Sequence, residues 1–115
     1  MLDRKVFDLT ILGKDYKIEE LSIGEAEKLR KIYLWIYNKQ LEAGDNIRKI
    51  SKTNKDFAEL AIRLVKKNLG VKTYLLTKRK IYFGMTESEY LNMIMQIAKI
   101  LGIGTKEDNK KKITA

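Results

Sequence analysis

The 115-residue chain contains no cysteine and no histidine. Without cysteine it has no disulfide, no zinc-thiolate site and no thiol nucleophile. Without histidine it also lacks the usual general base near neutral pH, the Ser-His and Cys-His nucleophile systems and the commonest transition-metal ligand. Long apolar runs are missing as well: no stretch approaches the roughly 18 residues of a membrane span, so no membrane contact is expected. Met1-Leu2-Asp3-Arg4-Lys5 leads into alternating residues without the apolar segment and cleavage site of a secretory signal, and the expected location is the cytoplasm.

The remaining routes to chemistry are thin. Glu19-Glu20 and Glu87 with Glu89 are the nearest things to paired carboxylates, and nothing flanks them that would raise a carboxyl into working range. Gly102-Ile103-Gly104 has neither the preceding strand nor the third glycine and following helix of a nucleotide fingerprint. Gly13-Lys14 is followed by Asp15 where a phosphate loop has Ser or Thr. No catalytic residue, metal ligand or cofactor is expected, and the chain reads as a binding protein, not an enzyme.

What is present describes one ordinary domain. Hydrophobic residues make up 44% and charged residues 34%, and the mean hydropathy is −0.35, a globular composition at a length that folds alone. The net charge of +9 is unevenly spread. Residues 1–44 carry eight basic and eight acidic side chains, residues 45–80 eleven against three, and residues 81–115 five against four. Nineteen of the 24 basic residues are Lys, a flexible point charge less suited than Arg to reading base edges.

Period-two alternation from Lys5 to Leu21, centred on Leu12-Gly13-Lys14-Asp15, predicts a β-hairpin over 5–21. A type II′ turn at Gly13-Lys14 would pair Ile11 with Tyr16 and Leu9 with Ile18, with Phe7 on the same apolar face. Asp8, Thr10, Lys17 and Glu19 then form the wet face. Ser22-Ile23-Gly24-Glu25 is a capping box that starts a helix running to Ala43, with Gly44 beyond its end. Residues 45–53 read as a polar loop with a helical turn at 46–51. Thr53 or Asn54 would cap a second helix, with a stripe of Phe57, Leu60, Ala61, Leu64 and Val65. Val71, Tyr74, Leu75 and Lys78 fit a short helix over 71–79, while Ile81-Tyr82-Phe83 fits an extended segment as well as a helix. Thr86-Glu87-Ser88-Glu89 is a second capping box, followed by a stripe of Leu91, Ile94, Met95, Ala98 and Leu101 that Gly102 stops. The expected fold is α+β and predominantly helical, an N-terminal hairpin packed on three or four helices. A single domain spans 1–103, with 104–115 a disordered basic tail.

Two segments are candidate binding sites. Ile32-Tyr33-Leu34-Trp35-Ile36-Tyr37 puts apolar surface on every side of its helix. Leu34, Trp35 and Tyr37 then either face a protein partner or are enclosed by neighbouring helices. Lys66, Lys67, Lys72, Tyr74, Lys78, Arg79, Lys80 and Tyr82 interleave cations with rings, as a protein tracking a phosphate backbone and stacking bases would. The same residues also read as the solvated edge of helices whose rings pack inward.

The opening Phe7-Asp8-Leu9-Thr10-Ile11-Leu12-Gly13-Lys14-Asp15-Tyr16-Lys17-Ile18-Glu19-Glu20-Leu21-Ser22 resembles the start of bacteriophage and prophage tail assembly chaperones. There a hairpin around a Gly-Lys turn leads through Leu-Ser or Leu-Thr into a long helix, and the remainder is helical. The resemblance implies a protein of the bacterial host cytoplasm that keeps a tail tape-measure protein soluble and recruits tail-tube subunits around it. It does not account for the positive charge. Some of these chaperones also exist as frameshifted long forms, and Lys110-Lys111-Lys112 would be encoded by a slippery adenine run if its codons are all AAA. The alternatives are a small basic nucleic-acid-binding protein and a structural head or tail component. A homo-oligomer is compatible with each.

Overall fold

The computed structural model describes residues 4–69 and 76–104. Strands β1 (Val6–Ile11) and β2 (Lys14–Glu19) form an antiparallel pair, followed by helices α1 (Ile23–Ala43), α2 (Ile47–Leu69), α3 (Lys78–Gly84) and α4 (Glu87–Ile100). The fold is α+β and predominantly helical, with the hairpin at the N-terminus. Of the tail expected at 104–115 all but Gly104, and of the helix expected at 71–79 residues 71–75, lie outside the described residues.

The hairpin turns one residue earlier than expected. Leu12 (φ +53°) and Gly13 (φ +78°) occupy its two central positions, which makes a type I′ turn whose twist matches that of the strands. Ile11 pairs with Lys14, Leu9 with Tyr16 and Phe7 with Ile18. Sliding one strand by two residues returns every side chain to its own face, so burial alone does not choose between these registers. The contact of Leu12 with Gly84 favours the observed one: a Cβ at Gly84 would lie 2.7 Å from Leu12 Cδ2. Either way the apolar face is the same, with Leu9, Ile11 and Ile18 fully buried. On the wet face Lys17 pairs with Asp8, and Thr10 Oγ1 donates to Asp15 Oδ1 at 2.7 Å.

Each edge of this two-stranded sheet is met by one helix side chain. The outward amide of Thr10 donates to Gln96 Oε1 of α4 at 2.7 Å, and Gln96 Nε2 donates back to Thr10 Oγ1 at 3.3 Å. On the other edge the Glu19 amide donates to Asn68 Oδ1 of α2 at 3.1 Å. An isolated hairpin is marginal in water. Here its apolar face lies on helices, and one outward amide on each strand is satisfied by them.

Helix α1 starts as expected at Ser22, whose hydroxyl accepts from the Glu25 amide at 3.4 Å. Only half of the capping box forms, because the Glu25 carboxylate turns instead to Lys67 at the far end of α2. At the opposite end Gln40 Nε2 donates to Asn54 Oδ1 at 3.2 Å, so α1 and α2 run antiparallel. Gly44 (φ +54°) ends α1.

From Ile47 on, the predicted loop at 45–53 is continuous helix, so the turn expected at 46–51 is the start of α2. Asn46 Oδ1 accepts from the Lys49 amide at 3.1 Å and caps α2 seven to eight residues before the expected start. Thr53 is not a cap; it is buried, and its hydroxyl donates to Ile50 O at 2.8 Å inside the helix. A polar, basic helix start looks like a loop in sequence because its charged side chains face solvent. The stripe Phe57, Leu60, Ala61, Leu64 and Val65 is buried as predicted, and Tyr33 meets Phe57 edge to face at 5.2 Å.

Residues 76 and 77 are not helical, in contrast to the expected helix over 71–79. Thr77 Oγ1 accepts from the Lys80 amide at 3.2 Å and starts α3, which makes Ile81-Tyr82-Phe83 helical. The Thr86 capping box forms in full. The stripe of α4 is rotated from the expected one: Met93, Ile97, Ile100 and Leu101 are buried, while Leu91 and Met95 are exposed. The helix is apolar on two faces, and the face that docks is the one that brings Gln96 alongside Thr10.

Truncating Phe57 to Ala should cost about 3–5 kcal/mol in denaturant unfolding. Gln96→Ala, which leaves a half-buried amide unpaired, should cost about 1–2 kcal/mol. The Lys67 ammonium holds the Glu25 carboxyl below its ordinary 4.5. A carboxyl lowered by folding contributes stability above its unfolded pKa and loses it as pH falls through the folded one. The drop in Tm between about pH 6 and about pH 3 should therefore be smaller in Glu25→Gln than in the parent chain.

Candidate interaction surfaces

The three α1 residues predicted to face a partner are all solvent-accessible, with Leu34 43%, Trp35 55% and Tyr37 46% exposed. They do not form one patch. At 100° per residue, Leu34 and Tyr37 lie on one flank of α1 and Trp35 on the other.

The first flank continues from Arg30, whose Nε donates to Leu101 O at the end of α4 at 2.9 Å. Leu34, Tyr37 and Leu41 follow Arg30 at helical spacing, and Leu41 is 64% exposed. α4 runs back alongside. Its N-terminal Tyr90 donates to Asn54 O at 3.3 Å, next to the Gln40–Asn54 bond of α1. Burial, reinforced by Tyr33 and Asp56, pushes the Tyr90 phenol far up, so that it stays a neutral donor. On α4, Leu91 and Met95 are 53% and 68% exposed, and Ile94 and Ala98 are half-buried on the Leu101 side of the helix. Leu34, Tyr37 and Leu41 of α1 and Leu91 and Met95 of α4 are thus exposed uncharged side chains on two antiparallel helices tied at Arg30–Leu101 and, through Asn54, near Gln40 and Tyr90, while Ile94 and Ala98 pack against the core. Sequence reading missed Leu41, although its place seven residues after Leu34 was a usable signal. It also assigned Leu91 and Met95 to the core.

The second flank looks toward the charged side of α2. Lys39 Nζ lies 5.5 Å from the centre of the Trp35 ring, one helical turn on. Trp35 and Asp56 are shared by two adjoining clefts between the helices, of about 510 Å³ and about 240 Å³. Ile32, Ile36, Leu60 and Ile62 give the larger cleft an aliphatic floor, with Glu59, Arg63 and Lys66 around it. The smaller is lined by Lys39, Glu42, Lys49, Lys52 and Thr53. Partial burial raises the Asp56 carboxyl, and Lys52 opposes that shift.

The predicted cation and ring series is dispersed. Lys72 and Tyr74 lie outside the described residues. Lys67 is paired with Glu25, and Lys78 lies 3.8 Å from Glu59. Tyr82 is half-buried, its hydroxyl donating to Ser51 Oγ at 3.0 Å and its ring packed edge to face against Phe83. Lys55 sits 5.1 Å from that ring, and Arg79 lies 5.6 Å from the ring of Phe83. Lys80 is exposed at the start of α3. Lys66 belongs instead to the Trp35 cleft. Among the described residues no group of three or more His, Cys, Asp or Glu is placed to hold a metal ion, and no helix is long and apolar enough to cross a membrane.

The chain has one tryptophan, so its fluorescence reports this flank directly. Emission should sit at the long wavelength of a solvated indole. Relative to the free neutral N-acetyltryptophanamide, iodide quenching should be enhanced and caesium quenching reduced, because Lys39, Lys49 and Lys52 draw the anion to the ring and repel the cation. An iodide-to-caesium quenching ratio no higher than that of the free indole would mean that the local field is not positive.

No family model, curated protein or solved structure matches the chain.

Proposed function

We propose that the protein is a phage or prophage tail assembly chaperone, acting by binding and without catalysis. On this reading it holds exposed helices of a tape-measure protein in solution and recruits tail-tube subunits during tail morphogenesis. The observation that carries the reading is the uncharged face formed by Leu34, Tyr37 and Leu41 of α1 with Leu91 and Met95 of α4. Amphipathic helices dock by laying apolar side chains at helical spacing along such a surface. Large exposed apolar side chains grouped at helical spacing mark interaction sites. The N-terminal hairpin leading into a long helix agrees with the sequence resemblance to these chaperones.

Nucleic-acid binding is the second reading, supported by the eleven basic against three acidic residues of 45–80. Tyr82 speaks against it, since its hydroxyl donates to Ser51 and its ring packs on Phe83. A structural head or tail component would remain in purified particles, whereas a chaperone would not.

Co-expression with a tape-measure protein from the same genome, followed by purification at low and moderate salt, tests the proposal. The expected result is a soluble stoichiometric complex that Leu41→Glu or Met95→Lys weakens by about tenfold or more, as loss of an interface anchor does. Both positions are exposed, so the variants should keep the parent circular dichroism spectrum. Absence of a complex, or a complex indifferent to both changes, would overturn the reading. Co-purifying nucleic acid released as salt rises would favour the alternative.

A further inference from the structure

We infer that the cleft between α1 and α2 around Trp35 is a docking site for an acidic segment of a partner protein that carries an aliphatic or aromatic anchor. The inference does not rest on the chaperone reading, because the cleft lies on the opposite flank of α1 from the uncharged face.

Two features define the occupant. The first is charge: Lys39, Lys49, Lys52, Arg63 and Lys66 line the two adjoining clefts, against Glu42, Asp56 and Glu59. Of these carboxylates, Glu59 already has Lys78 at 3.8 Å. The surplus is positive and belongs to a chain of net charge +9, so an acidic partner is drawn in from a distance and a basic one repelled. The second is the aliphatic floor of Ile32, Ile36 and Leu60 beneath the half-exposed Trp35 ring. Such a floor rewards a buried side chain, and a tryptophan at the rim of a pocket is a common anchor of protein recognition.

The same features disfavour a nucleic acid. A phosphate backbone presents one charge per nucleotide and is tracked by grooves of a single sign. Asp56 stands inside the cleft and would oppose it. A peptide places its carboxylates at intervals, which lets them meet the lysines and avoid the acids.

Binding is tested with three fluorescein-labelled probes on the full chain, read by anisotropy. The first is a peptide of about 20 residues with Leu at helical spacing and Glu between. Polyglutamate of equal length and single-stranded oligo-dT are the other two. The acidic, Leu-bearing peptide should bind saturably and at least about tenfold more tightly than either of the others. Trp35→Ala should weaken it by about tenfold or more, and the Lys39→Glu, Lys52→Glu double variant similarly, with a shallower salt dependence. Leu41→Glu, on the other flank, should leave it unchanged while impairing the tape-measure complex, so that the two proposals fail separately. No binding, equal or tighter binding of polyglutamate or oligo-dT, or indifference to both cleft variants would each overturn the inference.

Discussion

The structure depends on the apolar stripe of α2. Phe57, Ala58, Leu60, Ala61, Leu64 and Val65 are all buried, and α2 packs against α1, α3, α4 and β2. None of these neighbours is self-sufficient. The hairpin is two strands with one apolar face, and α3 is a seven-residue helix, too short to persist in isolation. The two alanines, both fully buried, let neighbouring backbones come close, and Phe57 fills the space between α1 and α2 against the edge of Tyr33. Asn68 carries the same helix to the sheet edge. Its Nδ2 donates to Leu64 O at 2.8 Å while its Oδ1 takes the Glu19 amide, so the end of the core stripe and the strand edge are held by one side chain.

Much of this was legible in the chain because several local signals agreed. At Thr86 the capping box, the preceding Met85 and the following apolar period all point to the same helix start, and the box forms in full. At Ser22 they agree on the start but not on the partner of Glu25. The i+3 capping bond is a local choice, whereas the ion pair with Lys67 depends on a residue 42 positions away and on the antiparallel packing of α2. The start of α2 was hidden for a related reason. Asn46, Arg48, Lys49 and Lys52 form a helical turn whose apolar partners are few, and composition alone does not separate a solvated helix face from a loop.

The candidate surfaces were only half legible. Exposure of Leu34, Trp35 and Tyr37 was one of two readings that a six-residue apolar run allows, since such a run leaves surface on every side whatever packs against it. Which side meets α2 is set by Leu29, Tyr33 and Ile36, which are buried, and by Gln40, which bonds Asn54. Only with that rotation known do adjacent residues Leu34 and Trp35 separate onto different flanks. The α4 stripe shows the same limit. Two apolar stripes coexist on one helix, and the choice between them is made by the β1 edge through Gln96, a contact 86 residues apart in the chain.

A helix covered on one side only, with apolar residues on one flank and a basic cleft on the other, poses a problem of solubility. The exposed Leu34, Leu41, Leu91 and Met95 would favour association of like copies, since burying each side chain is worth roughly 1.5–3 kcal/mol. The net charge of +9 acts in the other direction. Repulsion between two such chains extends over about a Debye length, some 8 Å at physiological ionic strength, and it bears on every approach in which a basic flank accompanies the apolar one. A partner with acidic segments meets no such barrier, so the charge that discourages self-association is the same charge that admits the partner. If both proposals hold, the basicity of residues 45–80 and the exposed apolar side chains of α1 and α4 would divide the work, the first selecting by charge which partner approaches and the second contributing to its retention.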